Sequence, residues 1–333
     1  MRFVFLIPDF LASPVKARLM REWHGRGRLL HSKLLSRVLR PPLMFAAKTI
    51  SGGSLNIMRH CWVARSVGAE AVMSTLWGRD DYGDLRIHDL PFIRWKDRRP
   101  DDVCILPDIG THYIDQVKGP AVAYEQNPTR IYDDFNWRSD RVTIWTDSPF
   151  MLDLCHKVYP GKNIPIVPNV IDNKVFPFIP QEDREEGLIF AFPRKGKDYI
   201  EQTQEEYRKL GGKYWRFELV DGLTLHELAK SFSRPQAMLA SADIEGCALP
   251  PQESMASGMI VVGKNARGAN FGMRHGETAM IGDTPAEAAK CLVELEDLQL
   301  RQKLAENGLN EIKRLFPENE PAAFWRENLA RWG

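Results

Sequence analysis

The sequence predicts an α/β protein built from two parallel-sheet units in tandem, and three observations carry that prediction. At 333 residues the chain exceeds what one compact core usually organises, so two domains are expected. Short apolar runs of buried-strand length alternate with segments of helical period. The alternation breaks at the polar, acidic stretch QEDREEG, residues 181–187, which reads as a linker, and then restarts.

In the first half the expected strands are 2–8, 43–50, 71–75, 103–106, 121–125, 141–146 and 164–167, with helices over 55–67 and 149–159. The opening MRFVFLIPDF is apolar but short, with no basic leader and no small-residue cleavage site, so it reads as a strand rather than a signal peptide. Either 2–8 or 43–50 serves as the first core strand; the pattern alone fits both. Beyond the linker come strand 188–192, helix 198–210, strand 215–220, helix 224–232, strand 237–242, helix 251–257 and strand 259–262. Helical period returns over 298–315 and 321–332, where Trp325, Leu329 and Trp332 share one face. The expected architecture is two Rossmann-like domains facing across a cleft, 1–178 and 179–315, with 316–333 packing back on the first as a helix.

Composition narrows the function classes. Hydrophobic residues make up 44% and charged residues 27%, ordinary for a globular protein, and the net charge of +1 speaks against nucleic acid as a partner. No apolar run is long enough to span a bilayer. The five cysteines show no CxxC spacing, so neither a zinc site nor a disulfide framework is indicated, and reduced thiols in a cytoplasm fit. No GxGxxG follows an early strand, which removes an NAD oxidoreductase. Residues 15–40 carry eight basic residues against one acid, Glu22, with Leu30, Leu34 and Val38 on one helical face. Such a helix fits peripheral contact with the inner face of a membrane as well as it fits a solvated surface.

The stretch EGCALPPQESMASGMIVVG, Glu245 to Gly263, concentrates the chemistry. It follows a strand, and Pro250 and Pro251 open a helix that Gly258 ends. Glu245-Gly246-Cys247-Ala248-Leu249 is thus a loop at the carboxyl edge of a strand, leading into a helix start, where open α/β sheets bind ligands and where backbone N–H groups favour an anion. Gly246 allows close approach. Glu253, on the first turn, offers two oxygens to the paired hydroxyls of a ribose, and it equally suits the helix dipole.

With seven residues between the two glutamates, this segment resembles the hallmark of the retaining glycosyltransferases of the GT-B fold, especially glycosyltransferase family 4. SGGSLNIMRHCWVARSVGAEAVMST resembles that family's glycine loop, helix and strand. VPNVIDNKVFPF resembles its passage into the second domain. FAFPRKGKDYI sits where the family places cations for the diphosphate, and ARGANFGMRHGETAMIGDTPAEAAKCL resembles the strand, loop and helix after the glutamate pair. The similarity covers roughly residues 43–320. Two departures stand out: Cys247-Ala248 replace an aromatic and a glycine, and Asn169 precedes Val170 rather than glycine.

The resemblance implies a metal-independent transferase that moves a sugar from a nucleotide-diphospho-sugar to a glycan, lipid-linked or other hydroxyl acceptor with retention, in cell-surface polysaccharide assembly, with no cofactor beyond that co-substrate. Glu245, Arg194, Lys197 and His112 are the catalytic candidates. Glu253, Gly246, Cys247, Ala248, Leu249, Lys195 and Gly53 are the donor-binding ones, and Asp108, Glu125, Asn127 and Arg130 lie on the acceptor side. Arg194, Lys195 and Lys197 compete for the phosphate. Asp147 and Ser148 read as a helix cap, and GRDDYGD, residues 78–84, as a loop. A GT-B epimerase differs by needing no acceptor, and a non-catalytic binding relative by lacking turnover.

Overall fold

The structure, a computed structural model, describes residues 1–7, 52–75, 88–268 and 270–332. It divides into two compact units, residues 1–168 with 321–333, and residues 169–320. The candidate strand 43–50, the basic segment 15–40 and the loop 78–84 lie outside the described residues.

The first unit runs β1 (Arg2–Ile7), α1 (Gly52–Ser66), β2 (Glu70–Thr75), β3 (Phe92–Arg94), β4 (Val103–Pro107), β5 (Ala121–Glu125), β6 (Val142–Thr146) and α2 (Pro149–Val158). Its sheet has the order β3-β2-β1-β4-β5-β6 with every pair parallel. This is the doubly wound order, with its reversal between β1 and β4. RFVFLI is buried along its whole length, as a strand covered on both faces must be. Ser148 caps α2 by accepting from the Met151 N–H, with Pro149 next in the first turn, as expected. The expected strand 164–167 contributes a single bridge, Thr146 to Ile166.

The second unit runs β7 (Glu185–Ala191), α3 (Lys197–Lys209), β8 (Arg216–Leu219), α4 (Leu225–Phe232), β9 (Pro235–Ala240), α5 (Leu249–Ser257), β10 (Ile260–Gly263), β11 (Met280–Ile281), α6 (Pro285–Glu294) and α7 (Leu298–Leu315). The sheet order is β11-β10-β9-β7-β8, again all parallel. Its reversal falls between β7 and β9, so the loops leaving those two strands diverge and open a ligand position at the carboxyl edge. Capping boxes start α4 (Thr224 with Glu227) and α6 (Thr284 with Glu287).

The last helix, α8 (Glu320–Trp332), belongs to the first unit from Pro321 onward. Trp325 is fully buried, with ring centroids 5.4 Å from Phe3, 5.3 Å from Phe5 and 5.7 Å from Trp145. Its indole N–H donates to Nδ1 of His60 at 3.0 Å, and Nε2 of His60 lies 3.0 Å from the Pro168 carbonyl. Indole only donates and a carbonyl only accepts, so His60 is neutral with its proton on Nε2.

The stretch 181–187 is not a linker. Gln181 and Arg184 are buried. Gln181 donates to the carbonyls of Gln236 and Gly258, and the Arg184 guanidinium serves those of Ile179, Phe232, Pro235 and Ser257. Burial lowers the Arg184 pKa to about 10. β7 begins inside the same stretch. The chain enters the second unit at Asn169, upstream of the break expected near 178, because Phe176 packs on Phe232 and the Ile179 N–H bonds the Ser257 carbonyl.

Candidate functional site

The site assembles at the β7/β9 reversal. After β7 a single 3-10 turn, Pro193–Lys195, carries two of the cations, and Gly196 follows with φ +145°. A Cβ at Gly196 would stand 2.4 Å from the Ser241 carbonyl oxygen, so only glycine lets this loop close on the one that leaves β9. That closure brings Lys195 Nζ to 2.6 Å from Glu245 Oε2, with Lys195 half-exposed and the glutamate mostly covered. Arg194 is exposed beside it. Lys197 is the first residue of α3 and pairs with Glu201 at 3.4 Å along that exposed helix face. The expected cation triplet thus separates: the structure brings Lys195, not Lys197, to the glutamate.

The loop after β9 is held from its other side by the loop after β10. Ile244 and Arg267 form a parallel bridge, with Glu245 N–H to Arg267 O at 3.2 Å and Arg267 N–H to Asp243 O at 3.1 Å. Lys264 pairs with Asp243 at 2.6 Å and lies 4.7 Å from the centre of the Tyr199 ring. Gly246 and Cys247 are buried, Ala248 is part-buried, and Leu249 is buried as the first residue of α5. Ala248 provides no side-chain cap, and Pro250 and Pro251 have no N–H, so the first turn is left with the N–H groups of Leu249 and Gln252. Glu253 is 1% exposed, one turn into the helix. Gly258 ends α5 at φ +91°, where a Cβ would meet the Ile179 carbonyl oxygen at 2.5 Å.

The candidates of the first unit gather at its own carboxyl edge. Gly53 is the second residue of α1, and a Cβ there would lie 3.1 Å from Gln126 Oε1, so the helix start packs beside the loop after β5. Asp108 and His112 sit on the 3-10 stretch Asp108–Gln116 after β4. Asp108 Oδ1 accepts from the Ile109 N–H at 2.6 Å, and the His112 ring lies 4.1 Å from that of Tyr113. Asn127 accepts from the N–H and hydroxyl of Thr129 at 3.0 and 2.8 Å, a turn-forming role, and Arg130 is part-buried beside it. Glu125 is wholly buried and accepts from the Tyr159 hydroxyl at 2.8 Å. That placement gives Glu125 a structural partner rather than an open face.

Two residues given no role from the sequence matter here. Asn169, noted there only for the residue that follows it, reaches the glutamate loop through its side-chain amide, and His60 ties α1 to α8. The partners of both lie far off in sequence. Four of the five thiols are structural: burial raises Cys61 and Cys155 strongly, Cys104 to about 12 and Cys291 to about 11. Among the described residues no cluster of three or more His, Cys, Asp or Glu is placed to hold a metal ion, and no helix is long and apolar enough to cross a membrane.

The two doubly wound units, with cations and a carboxylate at the reversal of the second, define an α/β protein of the GT-B class. Solved structures agree on the fold. The chain matches HepE of Anabaena, solved with UDP-glucose, at a TM-score of 0.62 and 12% identity over 99% of this chain and 100% of that one. It matches sucrose-phosphate synthase of Thermosynechococcus elongatus at 0.59 and 14% identity over 85% and 93%. The pneumococcal O-GlcNAc transferase GtfA, solved with UDP and GlcNAc, gives 0.55 and 13% identity over 69% of this chain and 57% of that chain. No protein-family model and no curated protein matches the sequence. The fold is that of the GT-B glycosyltransferases.

Proposed function

We propose that the protein is a glycosyltransferase that moves a sugar from a nucleotide-diphospho-sugar to a hydroxyl acceptor with retention of configuration and without a metal. The observation that carries this reading is the Lys195–Glu245 pair, 2.6 Å apart at the β7/β9 reversal with Arg194 beside it. In sugar transfer the anomeric C–O bond to phosphate breaks and one to the acceptor oxygen forms, through an oxocarbenium-like state. Negative charge builds on the leaving diphosphate, and fixed cations aimed at that charge give the largest catalytic effect. Arg194 and Lys195 supply those cations. The leaving phosphate oxygen takes the acceptor's proton, so no second carboxylate is required as a base. Glu245 orients the donor sugar, and Glu253 contributes to the ribose end of the site.

The structural neighbours solved with UDP or UDP-glucose make a uridine nucleotide the first donor to test. Gly53 would serve the donor side and His112 the chemical step, while Asp108, Asn127 and Arg130 would serve the acceptor. A glycan or lipid-linked acceptor in cell-surface polysaccharide assembly fits the basic segment 15–40 as a peripheral anchor on the cytoplasmic face. The test is calorimetric binding of a panel of nucleoside diphosphates and nucleotide-sugars, with and without magnesium, followed by turnover with and without hydroxyl acceptors. Tight, magnesium-independent binding and acceptor-dependent release of the nucleotide are expected. Acceptor-independent sugar release would favour an epimerase, and absence of binding across the panel would overturn the reading.

A further inference from the structure

The loop that carries Glu245 is fixed by a residue remote from it in sequence. Asn169, the first residue of the second unit, is 2% exposed. Its Nδ2 stands 2.9 Å from Gln252 Oε1, 3.1 Å from Cys247 Sγ and 3.3 Å from the Cys247 carbonyl oxygen. Gln252 Nε2 in turn donates to Cys247 Sγ at 3.1 Å. Gln252 and Cys247 are buried as well. The donor and acceptor roles are mutually fixed. Gln252 must present its oxygen to Asn169, which leaves its N–H₂ for the sulfur. An amide has two hydrogens, so Asn169 shares one of them between the sulfur and the carbonyl of Cys247.

Backbone pairing to the β10 loop reaches Glu245. Between that pairing and the first turn of α5, the amide triangle grips the loop at Cys247, through both its sulfur and its carbonyl. We infer that Asn169 is a positioning residue: through Cys247 and Gln252 it sets the course of the Glu245–Ala248 loop and thereby the affinity for a nucleoside diphosphate. This inference rests on the donor-site reading given above. It also assigns a use to the cysteine that stands where the resembling family has an aromatic. A sulfur accepts from two amides at once, which an aromatic ring at that position does not do.

Asn169→Asp tests the inference with almost no change of shape. It removes the N–H donors and sets a carboxylate oxygen against the Cys247 carbonyl. Gln252 can turn its amide to adapt, but a main-chain carbonyl cannot. Cys247→Ala removes the shared sulfur, and Cys247→Ser restores a smaller acceptor. The measurement is calorimetric titration with UDP and the other nucleoside diphosphates, well below each variant's unfolding temperature. For the diphosphate that wild type binds, Asn169→Asp and Cys247→Ala are each expected to weaken affinity by about tenfold, the scale of one lost buried hydrogen bond. Cys247→Ser is expected to recover most of what Cys247→Ala loses, a pattern that a general loss of stability does not produce. If Asn169→Asp does not fold, the Cys247 pair decides. Wild-type binding with every variant within about twofold of it would overturn the positioning role and leave the donor-site reading in place. A wild type that binds no nucleotide would overturn the donor-site reading, and the inference with it.

Discussion

His60 should make the folded state sensitive to mild acid. It lies on α1 and receives the Trp325 indole N–H on Nδ1 at 3.0 Å, while its Nε2 faces the Pro168 carbonyl at 3.0 Å. A second proton would have to enter at Nδ1, where it meets a donor. Burial, helped by the charge of Arg59 and opposed by the Pro168 carbonyl, lowers the pKa from 6.5 to about 4. The folded state therefore binds this proton more weakly than the unfolded chain does. The associated stability is fully present above pH 6.5 and is lost as pH falls from there towards 4. At about 1.4 kcal/mol per pKa unit this amounts to roughly 3 kcal/mol. The assay is urea unfolding of wild type and His60→Gln from pH 7.5 to 4. Glutamine does not titrate, so the stability difference between the two proteins should shrink by roughly that amount across the window. Parallel curves through pH 5 would refute the argument, because they would mean that His60 titrates alike in folded and unfolded chains.

Three further outcomes are expected. Lys195→Met should lower turnover by about a hundredfold while moving the donor KM less, because leaving-group charge peaks in the transition state; steady-state kinetics would show it, and unchanged turnover would move the role to Arg194 alone. Gly196→Ala should cost about 1–3 kcal/mol of stability, since the residue is held at φ +145° and a Cβ would meet the Ser241 carbonyl oxygen at 2.4 Å; thermal unfolding checks this, and an unshifted midpoint would show that the two loops do not need this contact. Glu253→Ala should weaken nucleoside diphosphate binding in calorimetry, and unchanged affinity would remove Glu253 from the donor site.

What the sequence disclosed and what it concealed follow from the range of the interactions involved. Continuous apolar runs such as RFVFLI are local signals of a strand covered on both faces, so the parallel sheets were legible. The start and end of α5 were legible for the same reason. Proline and glycine act on their own backbone, and Gly258 does stop that helix in the left-handed region. The stretch 181–187 misled because acidic neighbours signal a linker, whereas Arg184 is buried by carbonyls from residues that lie up to 73 positions away. His60 could not be found, because its partner Trp325 is 265 residues distant.

The cations show the same limit at the site itself. Spacing placed Arg194, Lys195 and Lys197 just after the first strand of the second unit, and they do follow β7. Spacing cannot say where α3 begins. Gly196, at a positive φ, precedes the first turn of that helix, which commits Lys197 to Glu201 on the helix surface and leaves Lys195 in the loop to meet Glu245, fifty positions on. The backbone angle of one glycine therefore decides which lysine faces the glutamate. The prediction for Gly196→Ala and the prediction for Lys195→Met are linked through it. A substitution that shifts the 193–196 turn should reduce turnover even with Lys195 intact, and by more than its effect on stability alone explains.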